Sequence, residues 1–131
     1  GVVFDAHVAA QVPEYVLTEV EVAGQRLSLP QMTVPVGTPV RLRVRARDVA
    51  IALAPVVGTS IRNQLAARVL RLDTDPAGAY AEVLLGLVGA QPGCDPHLRA
   101  RITRESLATL DLALGQSVWA LIKGVSFDAA T

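Results

Sequence analysis

The chain has 131 residues, a formal net charge of zero and only 18% charged residues, so it fits one compact domain or two small intertwined ones and not a basic protein built to coat nucleic acid. It is 51% hydrophobic but only 4% aromatic, with a mean hydropathy of +0.40, so the core must come from Val, Leu, Ile and Ala, and the surplus apolar surface is expected to enter a subunit interface. No apolar run approaches the roughly 18 residues of a membrane-spanning helix, and the single cysteine, Cys94, allows no intrachain disulfide.

A lone thiol fits the cytoplasm better than a disulfide scaffold would. No basic start with an apolar stretch and cleavage site is present, which predicts no signal peptide. Gly1 in place of an initiator methionine predicts a piece of a longer protein.

The segments are short, rich in Val and Leu, and separated by Gly, Pro and Asp, which predicts a mainly β chain. Strands are expected at Val2–Ala10 and Tyr15–Val22 around a turn with Pro13, and at Gln25–Leu29 after Gly24. Pro30–Pro39 follows. Val40, Leu42, Val44 and Ala46 then alternate with Arg41, Arg43, Arg45 and Arg47, a period of two with one apolar and one cationic face. The apolar parity slips at Val49, Ile51 and Leu53, which predicts a bend or bulge near Arg47-Asp48.

In the second half, Leu65–Leu72 leads into the turn signal Asp73–Gly78. Tyr80–Val88 is apolar on both faces and reads as a central strand, Gly89–Pro96 as a loop and His97–Ile102 as a strand. Thr103 is placed as the N-cap of a short helix, Arg104–Leu110, with Leu107 and Leu110 facing inward. Gly115, Val118, Ile122 and Phe127 then repeat the spacing of Gly37, Val40, Val44 and Val49, parity slip included. This predicts an internal duplication, with halves at 1–55 and 56–131, and an OB-like barrel made twice. The alignment puts Arg45 on Lys123 and Ala46 on Gly124.

Two stretches carry candidate chemistry. Thr59-Ser60-Ile61-Arg62-Asn63 offers hydroxyls, successive backbone N–H groups, a guanidinium and an amide. Lys123-Gly124-Val125-Ser126 offers an ammonium, a close backbone approach and a hydroxyl. Neither contains a carboxylate. A tetrahedral dianion has only acceptor oxygens and needs converging donors where no carboxylate repels it. On residue types alone the first stretch reads more readily as a linker with Ser60 and Asn63 closing local turns, and the second as a strand-edge lysine before a structural glycine.

Other chemistry fares worse. His7 and His97 lack the spacing of metal ligands, Cys94 sits alone in a Pro/Gly/Asp stretch, and no G-x-x-x-x-G-K-[ST] sequence is present to cradle ATP phosphates, so the chain is not expected to be an enzyme. The arginine face suits phosphates, but the aromatics Phe4, Tyr15, Tyr80, Trp119 and Phe127 are scattered and form no stacking platform, so nucleic acid is not an expected partner.

Ser60-Ile61-Arg62-Asn63 and Lys123-Gly124-Val125-Ser126-Phe127 resemble the two signature stretches of the Mop (molbindin-like) molybdate-binding domain, with Ile61 where that pattern usually has Ala. Ala100–Leu107 followed by Leu114-Gly115 is similar to the same family, so the resemblance covers nearly all of 56–129. Val40–Val49 followed by Ile51-Ala52-Leu53 resembles the region before that motif in the ATP-binding subunits of bacterial molybdate ABC transporters, which carry a C-terminal double-Mop (TOBE-like) regulatory region.

The resemblance implies tandem barrels, intertwined, that dimerise and bind molybdate or tungstate between subunits. The implied ligands are Thr59, Ser60, Ile61 (backbone), Arg62 and Asn63 of one unit opposite Lys123, Gly124 and Ser126 of another. Arg45, Ala46 and Arg47 form an implied second site, which Asp48 would weaken. ATP would belong only to a domain outside this chain. The chain would sit at the inner face of the cell membrane through the transporter ATPase and, indirectly, its permease. The alternative of the same family is a free-standing molybdate buffer.

Overall fold

The computed structural model describes residues 2–90 and 96–129. The predicted loop 89–96 falls mostly on 91–95, so Cys94 lies outside the described residues. The fold is mainly β. Its strands are β1 (Val2–Val12), β2 (Leu17–Val22), β3 (Gln25–Pro30), β4 (Pro39–Val44), β5 (Val49–Ala52), β6 (Asn63–Thr74), β7 (Tyr80–Leu87), β8 (His97–Thr103), β9 (Ser117–Ile122) and β10 (Ser126–Ala129), with one helix, α1 (Arg104–Thr109).

The strands form two antiparallel five-stranded sheets, ordered β10-β4-β1-β2-β3 and β5-β9-β6-β7-β8. Each sheet curls into a half-barrel, and in the second β5 comes round to pack beside β8. Each sheet also borrows its outer strand from the other half of the sequence. β5 pairs with β9 (Ile51 opposite Ala120), and β10 pairs with β4 (Phe127 opposite Leu42). The parity slips mark these crossings. A 3₁₀ turn, Ala46–Asp48, carries the chain from β4 into β5, and Lys123–Val125 carries it from β9 to β10.

One hydrogen-bond pattern occurs twice. β1 slips register at Val8, which donates to Thr38 O and accepts from Gly37 N. β6 slips at Val69, which donates to Gln116 O and accepts from Gly115 N. The two halves differ after their third strands. Thr103 caps α1 by accepting from Ser106 N. Residues 31–38 instead form a non-helical connection with a turn at Val36-Gly37, tied by Gln11 Nε2 to the Met32 and Val34 carbonyls and by Met32 N to the buried Thr18 hydroxyl.

Alternation sets the faces. Val40, Leu42 and Val44 are buried and Arg41 and Arg43 exposed on β4. The inward residues of both sheets, from Phe4 to Ile122, make one continuous apolar core. The predicted strand start at Tyr15 is corrected. Pro13–Tyr15 form a 3₁₀ turn that ends with Val16 at φ 56°, its N–H bonded to Pro13 O. β1 and β6 run beyond their predicted ends because ladder pairing, and not hydrophobicity, sets their length.

Candidate functional site

The two candidate stretches meet within one chain. β6 begins at Asn63, directly opposite Ile122 in the β6–β9 ladder, so Lys123 leaves β9 at the end where the 59–62 turn enters β6. Ile61 and Lys123 line one groove of about 270 Å³, together with Arg47, Asp48, Ala50, Arg101, Thr103, Ser106 and Leu121. Lys123, Arg62 and Ser60 are exposed, and Ile61 is half-buried. Among the described residues the ion pairs are Arg26–Glu19, Arg41–Asp5, Arg71–Asp73 and Arg99–Glu82, so Arg47, Arg62 and Lys123 have no carboxylate within pairing distance.

The polar turn is held in shape by side chains of its own segment. The Thr59 hydroxyl accepts from Ile61 N at 3.1 Å. Gln64 folds back over the linker: its Oε1 accepts from Val56 N, and its Nε2 donates to the Val56 and Ile61 carbonyls, each at 2.9 Å. Ser60 and Arg62 are exposed, with no intrachain side-chain hydrogen bond among the described residues, and of the 59–63 stretch only Ile61 lines the groove. The fixed backbone of the turn lowers the ordering cost of binding a ligand there.

Asn63 is engaged elsewhere. Its Oδ1 accepts from Ser28 N at 2.8 Å and its Nδ2 donates to Ser28 O at 2.9 Å. Gln25 mirrors it, accepting from Ala66 N and donating to the Ala66 and Val88 carbonyls. The two amides act as backbone surrogates that stitch β3 to β6 where these strands splay apart, satisfying half-buried peptide groups.

The remaining candidates are placed as follows. Ser126 opens β10 on the other sheet, its hydroxyl 3.5 Å from Arg43 O, and is not part of the groove lining. Of the second set, Arg47 joins the Lys123 groove, whereas Arg45 and Ala46 do not line it. Asp48 lines the same groove beside Arg47 and also packs on Gly124. A β-carbon built on Gly124 would lie 3.2 Å from Asp48 Cγ and Oδ2. The Asp48 carbonyl also accepts Lys123 N–H at 2.8 Å. The groove is therefore not free of carboxylate, because the crossing turn brings in an acid that neither stretch contains.

Sequence reasoning treated Arg101, Thr103 and Ser106 only as strand and cap. Arg101 lies with its guanidinium carbon 4.2 Å from the Tyr80 ring centroid, a cation–π contact that orients it. The Thr103 and Ser106 hydroxyls are 2.9 Å apart at the groove wall. β8 brings Arg101 and Thr103 in because it packs against the 46–48 turn, and α1, which Thr103 caps, brings Ser106.

Comparison with known proteins follows the same outline. The TOBE domain family matches residues 59–128. The chain is 46% identical over 127 residues to the molybdenum import ATP-binding protein ModC of Thiobacillus denitrificans, covering 96% of this chain and 33% of that protein. It is 42% identical to ModC of Aromatoleum aromaticum, covering 95% and 31%. The chain thus spans about a third of the curated relatives it matches. A crystal structure of the cytoplasmic molybdate-binding protein ModG with molybdate bound superposes with a TM-score of 0.78 at 26% identity, covering 98% of this chain and 95% of that one. Since the family match takes in the polar turn, the β8 wall and the Lys123 crossing alike, the chain belongs to the TOBE domain family.

Proposed function

We propose that this chain is the oxyanion-sensing regulatory part of a molybdate-import ABC ATPase subunit, binding molybdate or tungstate over the Ile61–Lys123 groove. The observation that carries this reading is the convergence of Ile61, Lys123, Arg47 and Arg101 on one groove, with Arg62 and Ser60 exposed on either side of Ile61 in the chain. Cations, hydroxyls and backbone N–H groups are the donors a dianion of four acceptor oxygens requires. The names of the ModC relatives and of ModG support molybdenum as the cargo.

A half-shell open to solvent needs a second wall. Leu53, Val56 and Val57 are exposed beside it, Val57 to 92%, a surface suited to a second copy of the chain. An anion shared between two copies would bias how the attached ATPase domains sit and so restrain import when the oxyanion is plentiful. The subunit would then lie in the cytoplasm against the transporter's permease, with ATP held by a domain other than this one.

The alternative is a free-standing molybdate-binding protein, favoured by the match to 95% of the ModG chain; the higher identity to ModC favours the regulatory reading. An upstream ATP-binding domain in the same polypeptide separates the two. Calorimetry tests the ligand class: molybdate and tungstate are expected to give heat at low and high salt, and sulfate little. Sulfate binding as strongly as molybdate, or no heat at about millimolar anion, would refute the reading. Affinity for single-stranded nucleic acid that collapses with salt would point to phosphate binding instead.

A further inference from the structure

The geometry points to Asp48 as the residue that sets the affinity of this groove, holding it below what its cations would otherwise give. The inference rests on the oxyanion reading above and concerns the regulation of the same site. It explains how an anion groove tolerates a carboxylate: the acid raises the oxyanion level at which the site fills.

Asp48 lines the groove with Arg47, Arg101 and Lys123. Its carboxylate lies against the Gly124 backbone, with Cγ and Oδ2 each 3.2 Å and Oδ1 3.6 Å from where a β-carbon would stand. Its main chain is fixed at both ends, the N–H donating to Arg45 O at 2.9 Å and the carbonyl accepting from Lys123 N at 2.8 Å. The carboxylate therefore cannot leave by a shift of the turn. Among the described residues no cation pairs with it. Its charge consequently acts on whatever occupies the groove, and on a dianion it acts twice over.

The repeated spacing aligns Asp48 with Ser126 in sequence. The two crossings differ in register, since Ser126 already pairs with Arg43 in its strand whereas Asp48 ends a 3₁₀ turn before Val49 pairs with Ile122. The acid thus belongs to the longer of the two crossings alone.

Molybdate affinity of the wild type, Asp48→Asn and Asp48→Ser tests the inference by calorimetry, with thermal unfolding of each protein alongside. Both variants are expected to bind molybdate about tenfold more tightly at low salt, with unfolding midpoints near the wild type, and the gain should shrink at high salt. A purely structural role for Asp48 predicts the opposite sign, weaker binding with a lowered midpoint. Equal or weaker binding in both variants while the wild type binds would overturn this inference alone. Absence of molybdate heat in all three proteins would overturn it together with the oxyanion reading.

Discussion

Gly89→Ala is expected to lower the unfolding midpoint by about 10 °C, the largest stability loss anticipated from adding one methyl group. Gly89 has φ +94°, and a β-carbon there would stand 2.4 Å from the Ala23 carbonyl oxygen. The neighbour is backbone and cannot turn aside. Ala23 (φ 52°) and Gly24 (φ 74°) form the tight turn between β2 and β3, and the next residue, Gln25, is clamped to Ala66 of the other sheet and to Val88 in the turn after β7. The clash would pry the β2–β3 hairpin off the second sheet. Strain from the positive φ adds to it, and together they are expected to cost roughly 2–3 kcal/mol. Gly115→Ala is the control: its φ is +81° but the space beside it is open, so only the backbone term applies. Equal midpoints for the two variants, read by calorimetry or circular dichroism, would show that the Ala23–Gly89 contact does not hold the sheets together.

The largest functional effects are expected from Arg62→Ala and Lys123→Ala. Each removes a charged donor from the proposed half-shell, and a hydrogen bond to a charged group is worth about 1.5–3 kcal/mol, so each should weaken molybdate binding roughly 10- to 100-fold. Both side chains are exposed and in no ion pair among the described residues. Their removal should therefore leave stability within about 0.5 kcal/mol of wild type. Loss of binding with an unchanged unfolding midpoint is the expected pair of results. Unchanged affinity in either variant would remove that residue from the site.

Much of this fold is legible in the sequence. The alternation through Val40–Val44 names the buried face of β4, and the matched spacings after Gly37 and Gly115 go with matching bonds to Val8 and Val69. Thr103 announces its helix because a hydroxyl before an apolar-periodic run has few other uses. The parity slips are legible too, but not their destination. Periodicity reports which way side chains point and says nothing of which sheet a strand joins, so the exchange of β5 and β10 has no local signal. At Tyr15-Val16 an aromatic and a β-branched residue read as strand, yet the turn begun at Pro13 carries through both residues.

The site follows the same division. Donor-rich stretches at 59–63 and 123–126 stand out by residue type, and the ladder that joins their ends follows from antiparallel pairing. Asn63 illustrates the limit of residue type: an amide suited to an anion instead completes the β3 backbone. Asp48, Arg101, Thr103 and Ser106 reach the groove only through the strand exchange and the packing of β8 on the crossing turn. These are non-local contacts that no spacing rule encodes.

The position of a bound anion is the most direct test of the whole account. Crystals grown with molybdate, measured at an energy where molybdenum scatters anomalously, should show one strong peak between the Ser60–Arg62 turn and Lys123. A peak seated away from both stretches, or none at saturating molybdate, would contradict it.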